Sequence, residues 1–299
     1  MIVIIHSFEN RTRPVIWYLN NMIKFFILAA GLGKRARPLS LIEPKPLFPL
    51  DGTPLIQLIL DQLALKKVER GFINLHYMAR RMSDFLMKYE DITFFHESKL
   101  SGSKILNRAT DFLEDDYLLV INGDIFLDIP VHNLIDKITE HKADGVLLVK
   151  RDNTRKYSSL LHEQDRYSGV GSPVTAGLIY CGVALFRYSV VECIKEQNFF
   201  RTFEKYNLDI RIINYDGLWL DIGDPRSYFR SNFLYKKNIN MDQKSNSISK
   251  LVQISTDSKV SHSIIWKNTQ ILNKTRISNS IVTGNIVLDH LNQKNKFIM

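Results

Sequence analysis

From Met22 to about residue 237 the chain switches repeatedly between two hydrophobic periods, and no other feature limits its fold so strongly. "KFFILAA" is an unbroken apolar run of strand length, the pattern of a strand covered on both faces. "TPLIQLILDQLALKKV" repeats its apolar residues at helical spacing, with Thr53 placed to cap it and Pro54 at the first helical position. "GFINLHY", "ITFFHE", "DYLLVING" and "DGVLLVK" read as further strands, with helices in "ARRMSDFLMKY", "KILNRATDFLED" and "VHNLIDKITEHK". Such alternation predicts an α/β fold, a Rossmann-like, mostly parallel sheet with helices on both faces. The pattern fades in the polar stretch 151–174, then resumes with "AGLIYCGVALF", "DIRIINY" and a closing helix in "PRSYFRSNFLYKK". Ligands of these sheets gather at the carboxyl ends of the strands, so the loop after the first strand belongs to the binding edge.

That loop lies within "FILAAGLGKRARPLSLIEPKPL", residues 26–47. One residue separates Gly31 from Gly33, whereas a Walker phosphate loop needs four between its glycines. "GLGKRA" fits a dinucleotide fingerprint, but that motif must open a helix packed on the sheet. Pro38, Pro44, Pro46 and Pro49 forbid one, since each removes a backbone donor and pushes its predecessor out of the helical region. What remains is a loop whose glycines let N–H groups approach phosphates, with Arg35 and Lys45 supplying charge.

Composition is compatible with an anionic ligand without demanding one. The 299 residues carry a net charge of +9, with 45% hydrophobic and 24% charged residues, ordinary values for one large domain with a small appendage. The basic residues are scattered, and no nucleic-acid module is recognisable. Cys181 and Cys193 lack metal spacing and read as structural thiols in a cytoplasmic protein. No apolar run approaches the roughly 18 residues of a membrane span, and no signal peptide is evident at the start.

The stretch "LAAGLGKRARPLSLIEPKPL" resembles the signature of the sugar-1-phosphate nucleotidyltransferases, LAAGxGxRxxPxTxxxPKPL. The match covers Leu28 to Gly31, Gly33, Arg35, Pro38 and Pro44 to Leu47, with Ser40 in place of the usual Thr. It continues in family order with "NLHY" at 74–77, "NGD" at 122–124 and "WLDIGDP" at 219–225. The resemblance implies attack of a sugar-1-phosphate oxygen on the α-phosphate of a nucleoside triphosphate. It implies Arg35 and Lys45 as catalytic, holding the triphosphate and the sugar phosphate. Leu28, Ala30, Gly31, Gly33, Glu97 and Gly102 would bind nucleotide, and Gly182 the sugar. Asp124 and Asp221 would hold Mg2+, whose preference is for hard oxygen ligands.

Taken singly, most of these residues have plainer explanations. Arg35 and Lys45 could be solvated charges, and Asp124 after Gly123 a turn. Asp224 reads as a helix cap before Pro225, and His76 as structural. Agreement of four segments in order favours function. Two departures bear on specificity: Lys104 stands where the family usually has Gly, and the Glu-Lys-Pro segment that contacts the sugar in many members is missing from 151–174. The layout is closest to mannose-1-phosphate guanylyltransferase-like proteins, so GTP with mannose- or heptose-1-phosphate is the leading expectation. The alternatives are a uridylyl or thymidylyl transferase and a catalytically silent regulatory paralogue.

After a polar linker at 241–250 the texture changes. "VSHSIIW" at 260–266 is echoed by "ISNSIVT" at 277–283, and Ile265, Ile271 and Ile277 recur six apart. Such repeats predict a short left-handed parallel β-helix over 251–290, a surface for packing on the catalytic domain 22–240 or for homo-oligomer formation. Residues 1–21 fit poorly before the domain opening at Met22 and are expected to be dispensable. A chain starting at Met22 should fold and act as the full one does; loss of either property would refute this.

Overall fold

A computed structural model describes residues 23–114, 116–154, 156–172, 177–238 and 246–299. The expected extension 1–21 and the first half of the expected linker lie outside these residues. Strand β1 (Ile23–Leu28) sends Phe25 and Ile27 into one apolar cluster and Phe26 into another. Both of its faces are therefore covered, which is why its sequence is continuously apolar.

The remaining main elements are α1 (Leu55–Leu65), β2 (Gly71–Leu75), α2 (Ala79–Leu86), β3 (Ile92–His96) and β4 (Tyr117–Asn122). After them come β5 (Ile125–Leu127), α3 (Val131–Glu140), β6 (Gly145–Asp152), β7 (Leu160–Glu163), β8 (Arg166–Val170) and β9 (Gly177–Phe186). The domain ends with α4 (Tyr188–Cys193), α5 (Phe199–Tyr206), β10 (Ile210–Asn214), β11 (Trp219–Asp221) and α6 (Pro225–Asn238). Nine strands form one sheet in the order β3-β2-β1-β4-β9-β6-β10-β8-β7. All run one way except β9 and β8, which lie antiparallel to their neighbours. Residues of α1, α2 and α3 join the cluster on one face, while α4 and α5 join that on the other.

Register sets the binding edge. Leu28 of β1 pairs with Asn74 of β2 and Asn122 of β4, so three strand ends are level and the loops that follow emerge together. The chain crosses closely there: Gly123 N donates to Leu28 O at 2.9 Å, and a Cβ at Gly123 would lie 2.9 Å from that oxygen.

Four details differ from the sequence reading. Thr53 makes no cap bond, because Thr53–Pro54 pairs with Pro49–Leu50 and the helix begins at Leu55. Residues Gly102–Phe112 form a 3-10 rather than an α-helix; Thr110 Oγ1 donates to Asn107 O at 2.6 Å, a side-chain bond of the kind that competes with regular helix. The unpatterned stretch 151–174 contains β7 and β8, joined through Gln164 at φ +54°. Finally, α4 and α5 occupy a segment without an assigned helix; Asn198 caps α5 by accepting from Phe200 N at 3.0 Å.

The C-terminal part forms three parallel ladders. Ser247 pairs with Ile264 and Ile264 with Ile281, a step of 17 residues per coil. Ile265, Ile271 and Ile277 come one from each ladder and meet Val282 and Leu288 inside the coil. The ladders begin at Ser247 and reach Ile298, beyond the expected 251–290 at both ends. They are joined to the main domain by its own core: Ile264, Trp266 and Ile281 share a cluster with Phe48, Leu50 and Tyr228. Trp266 Nε1 donates to the Tyr228 hydroxyl at 2.9 Å, which donates to Pro49 O at 2.8 Å. Trp266→Ala should cost about 3–5 kcal/mol by emptying this seam. Trp266→Phe should cost only about 1–2 kcal/mol by losing the hydrogen bond. Urea unfolding of both variants checks the order.

Candidate active site

The loop after β1 behaves as its prolines require. Instead of one helix it makes three single 3-10 turns, Lys34–Ala36, Leu39–Leu41 and Lys45–Leu47. Gly33 takes the left-handed conformation at φ +62°, and Ser40 Oγ donates to its carbonyl at 2.8 Å. A Cβ at Gly31 would meet nothing within 4 Å, so that backbone faces open space.

The open space is a cleft of about 450 Å³ at the level strand ends. Leu28, Ala30, Gly31 and Lys45 line it from the first loop, and Asp124, Glu97 and Gly102 from the loops opposite. Lys45, held between Pro44 and Pro46, forms an ion pair with Asp124. Gly102, at φ +61°, lies against Gln197 O, where a Cβ would come within 2.3 Å.

Glu97 is nearly buried and both of its carboxylate oxygens are engaged. Asn74 Nδ2 donates to Oε1 at 2.8 Å and Ser101 N to Oε2 at 2.9 Å. Asn74 Oδ1 in turn accepts from Ala29 N at 2.7 Å. Glu97 therefore ties the loops after β1 and β3 to each other, and Asn74 is the link. His76 Nδ1 faces Glu97 O at 2.8 Å, as a structural residue would.

Arg35, Gly33, Gly182 and Asp221 do not line the cleft. Gly182, at φ +84°, sits where β9 shifts register and packs on Ile125 and Asn122. Asp221 is brought beside Asp124 by the β5–β11 pairing, in which Asp221 is opposite Ile125 and Ile222 N donates to Asp124 O at 3.0 Å. A Cβ at Gly223 would meet Asp221 Oδ1 at 2.8 Å and Arg35 Nη2 at 3.3 Å, so the guanidinium stands near this second carboxylate.

Lys156 and Tyr157, absent from the sequence reading, hold Asp221. Lys156 Nζ lies 2.7 Å from Asp221 Oδ2 and 3.1 Å from Asp224 Oδ2, and the Tyr157 hydroxyl donates to Asp221. Burial opposes the Lys156 charge most strongly of any one effect, but the bonds to Asp221, Tyr157 and Asp224 and the Asp221 charge together outweigh it and raise the pKa; burial and the Asp221 bond raise that of Tyr157. Asp224 is the expected helix cap, accepting from Ser227 N at 2.9 Å. Cys181 and Cys193 are unbridged, and burial pushes the Cys181 thiol up to about 12.

Residues 24–159 match the family model described as nucleotidyl transferase. A putative mannose-1-phosphate guanyltransferase of Sulfolobus acidocaldarius is 27% identical over 71% of this chain and 62% of its own length. The mannose-1-phosphate guanyltransferase of Candida albicans is 29% identical over 71% and 64%. The chain is thus similar to sugar-1-phosphate nucleotidyltransferases, and its nucleotidyl transferase segment is residues 24–159. It spans slightly under two thirds of the length of these curated relatives. The fold agrees with HddC from Yersinia pseudotuberculosis at TM-score 0.63 and 23% identity, over 71% of this chain and 99% of that one. It also agrees with a putative glucose-1-phosphate thymidylyltransferase from Bacillus anthracis at TM-score 0.64 and 20% identity, over 74% and 98%.

Asn74→Leu should strip partners from Ala29 N and Glu97 at once. A loss of about 2–4 kcal/mol is expected, since each buried group left unpaired costs about 1–3 kcal/mol. Nucleotide affinity should fall with it, read by chemical denaturation and by nucleotide titration.

Proposed function

We propose that this chain transfers a nucleotidyl group from a nucleoside triphosphate to a sugar-1-phosphate, with GTP and mannose- or heptose-1-phosphate as the leading pair. A sugar-phosphate oxygen attacks the α-phosphorus, the α–β bridging bond breaks, and pyrophosphate leaves. The observation that carries this reading is the cleft at the level strand ends, with the glycine loop on one side and the Lys45–Asp124 pair facing it. Phosphoryl-type transfer depends on positioning and charge stabilisation, so no covalent nucleophile is needed.

Each residue has a part in that reading. The backbone at Ala30 and Gly31 approaches the phosphates, Arg35 clamps the triphosphate, and Lys45 holds the sugar phosphate. Glu97 and Gly102 shape the nucleotide side, and the bulge at Gly182 shapes the floor under the sugar. Asp124 and Asp221 fit Mg2+ by donor chemistry: both are hard oxygen ligands on adjacent backbone. Among the described residues no group of three or more His, Cys, Asp or Glu forms a closed metal cage. Mg2+ characteristically takes one or two carboxylates and completes its shell with phosphate oxygens and water. When bound, it would neutralise phosphate charge.

Guanine is favoured by the relatives, which are named mannose-1-phosphate guanyltransferases. We read the tail as a short left-handed parallel β-helix, on the strength of the spacing that places one aliphatic from each ladder inside.

The test is pyrophosphate release with Mg2+ across GTP, UTP, dTTP, CTP and ATP, each against several sugar-1-phosphates. Turnover in the GTP row supports the leading pair, and turnover in the UTP or dTTP row moves the assignment to that base. A folded, nucleotide-binding protein silent in every combination would point to a regulatory paralogue. Asp124→Ala should cut turnover by about 100-fold or more with the circular dichroism spectrum unchanged.

A further inference from the structure

The two carboxylates offered for a divalent cation are each matched to one lysine. Asp124 has Lys45, and Asp221 has Lys156. Asp124 immediately precedes β5, which pairs with the strand carrying Asp221, so without cations two negative charges would repel across a partly buried site. The Asp221 side chain is only 10% exposed, which makes its charge costly unless compensated.

Lys156 is not required by the local fold. The first turn of α6 is capped without it, because Asp224 Oδ1 accepts from Arg226 N at 3.0 Å and Ser227 N at 2.9 Å. The turn after β11 is likewise held by Gly223 N, which donates to Asp221 Oδ1 at 2.9 Å. Tyr157 anchors the neighbouring segment, its ring edge-on to Trp219 at 5.6 Å. The Lys156 side chain remains 34% exposed, so its ammonium has water to move into. What Lys156 adds at Asp221 is a positive charge.

We propose that Lys156 is a positioning residue that occupies the place of a divalent cation on Asp221 until nucleotide arrives, and then yields the carboxylate to the metal. Two ammonium groups neutralise the acid pair in the resting protein as one divalent ion does in the loaded one. A lysine suits this exchange because its ammonium is a compact charge on a flexible stem, needing no fixed fork geometry. The inference rests on the nucleotidyl-transfer reading and its metal site.

The experiment is Mn2+ titration of the full chain, followed by electron paramagnetic resonance, with and without GTP, on wild type, Lys156→Met and Lys156→Arg. Without GTP, Lys156→Met should bind Mn2+ about tenfold more tightly than wild type, the scale of one charge contact at a half-buried site. Lys156→Arg, which keeps the charge, should resemble wild type. With GTP the difference should vanish, because the lysine has already left. Equal or weaker Mn2+ binding by Lys156→Met without GTP overturns the inference, as does an advantage that persists unchanged with GTP. If no variant binds Mn2+ in either condition, the metal reading itself fails, which is a distinguishable result.

Discussion

Two carboxylates held beside the β5–β11 pair need cations, and much of the site can be understood from that requirement. Asp124 lies in the two-residue turn between β4 and β5, while Asp221 is delivered by the short β5–β11 pair from far along the chain. Each then recruits its lysine from a different segment. Lys45 comes from a turn whose φ angles are set on both sides by Pro44 and Pro46, and Lys156 from the segment between β6 and β7. Four separate stretches are thereby tied together by charge at one point. The carboxylates are thereby balanced by ammonium groups, with Arg35 close by at Gly223.

The second constraint is register. Because Leu28, Asn74 and Asn122 are level, their successors share one rim. Two of the three are asparagines, whose amides can donate and accept together. Asn74 uses both capacities, accepting from Ala29 N and donating to Glu97. The backbone of the glycine loop is thus positioned by a side chain of the next strand over, and Glu97 carries the link on to Ser101.

The sequence announced the sheet because its central strands are covered on both faces, as Phe25, Phe26 and Ile27 demonstrate. Its edge was silent for the opposite reason. In β7 only Leu160 is buried, and β8 alternates buried and exposed positions with Ser168 and Gly169 among them, so neither carries an apolar run. The prolines correctly excluded a helix after Gly33, a purely local effect. Lys156 and Tyr157 were not legible, since nothing in "RKYS" states that it will meet a carboxylate delivered by β11. Asn198 before Phe199 was a readable cap signal for α5, and the short, aromatic-rich helix behind it obscured the period. Gly182 was expected near a sugar, yet its conformation is explained by the packing of β9 on Ile125.

The tail shows how one periodic pattern can carry two messages. In the middle coils each ladder turns an aliphatic inward, but only the first also buries an aliphatic on its outer side. Ile264 and Ile265, then Ile281 and Val282, are fully buried neighbours, and adjacent strand residues point to opposite faces. One of each pair must therefore face outward into something other than water. Ile265 and Val282 fill the coil, while Ile264 and Ile281 join the cluster containing Phe48 and Tyr228. The other ladders expose Gln253, Lys259 and Arg276 on their outer sides. The doubled aliphatic of "SII" and "SIV" thus identifies the docking face directly. It places that face against the chain segment that continues from the Pro-Lys-Pro turn through Phe48 and Leu50, so the tail braces the base of the loop that holds Lys45.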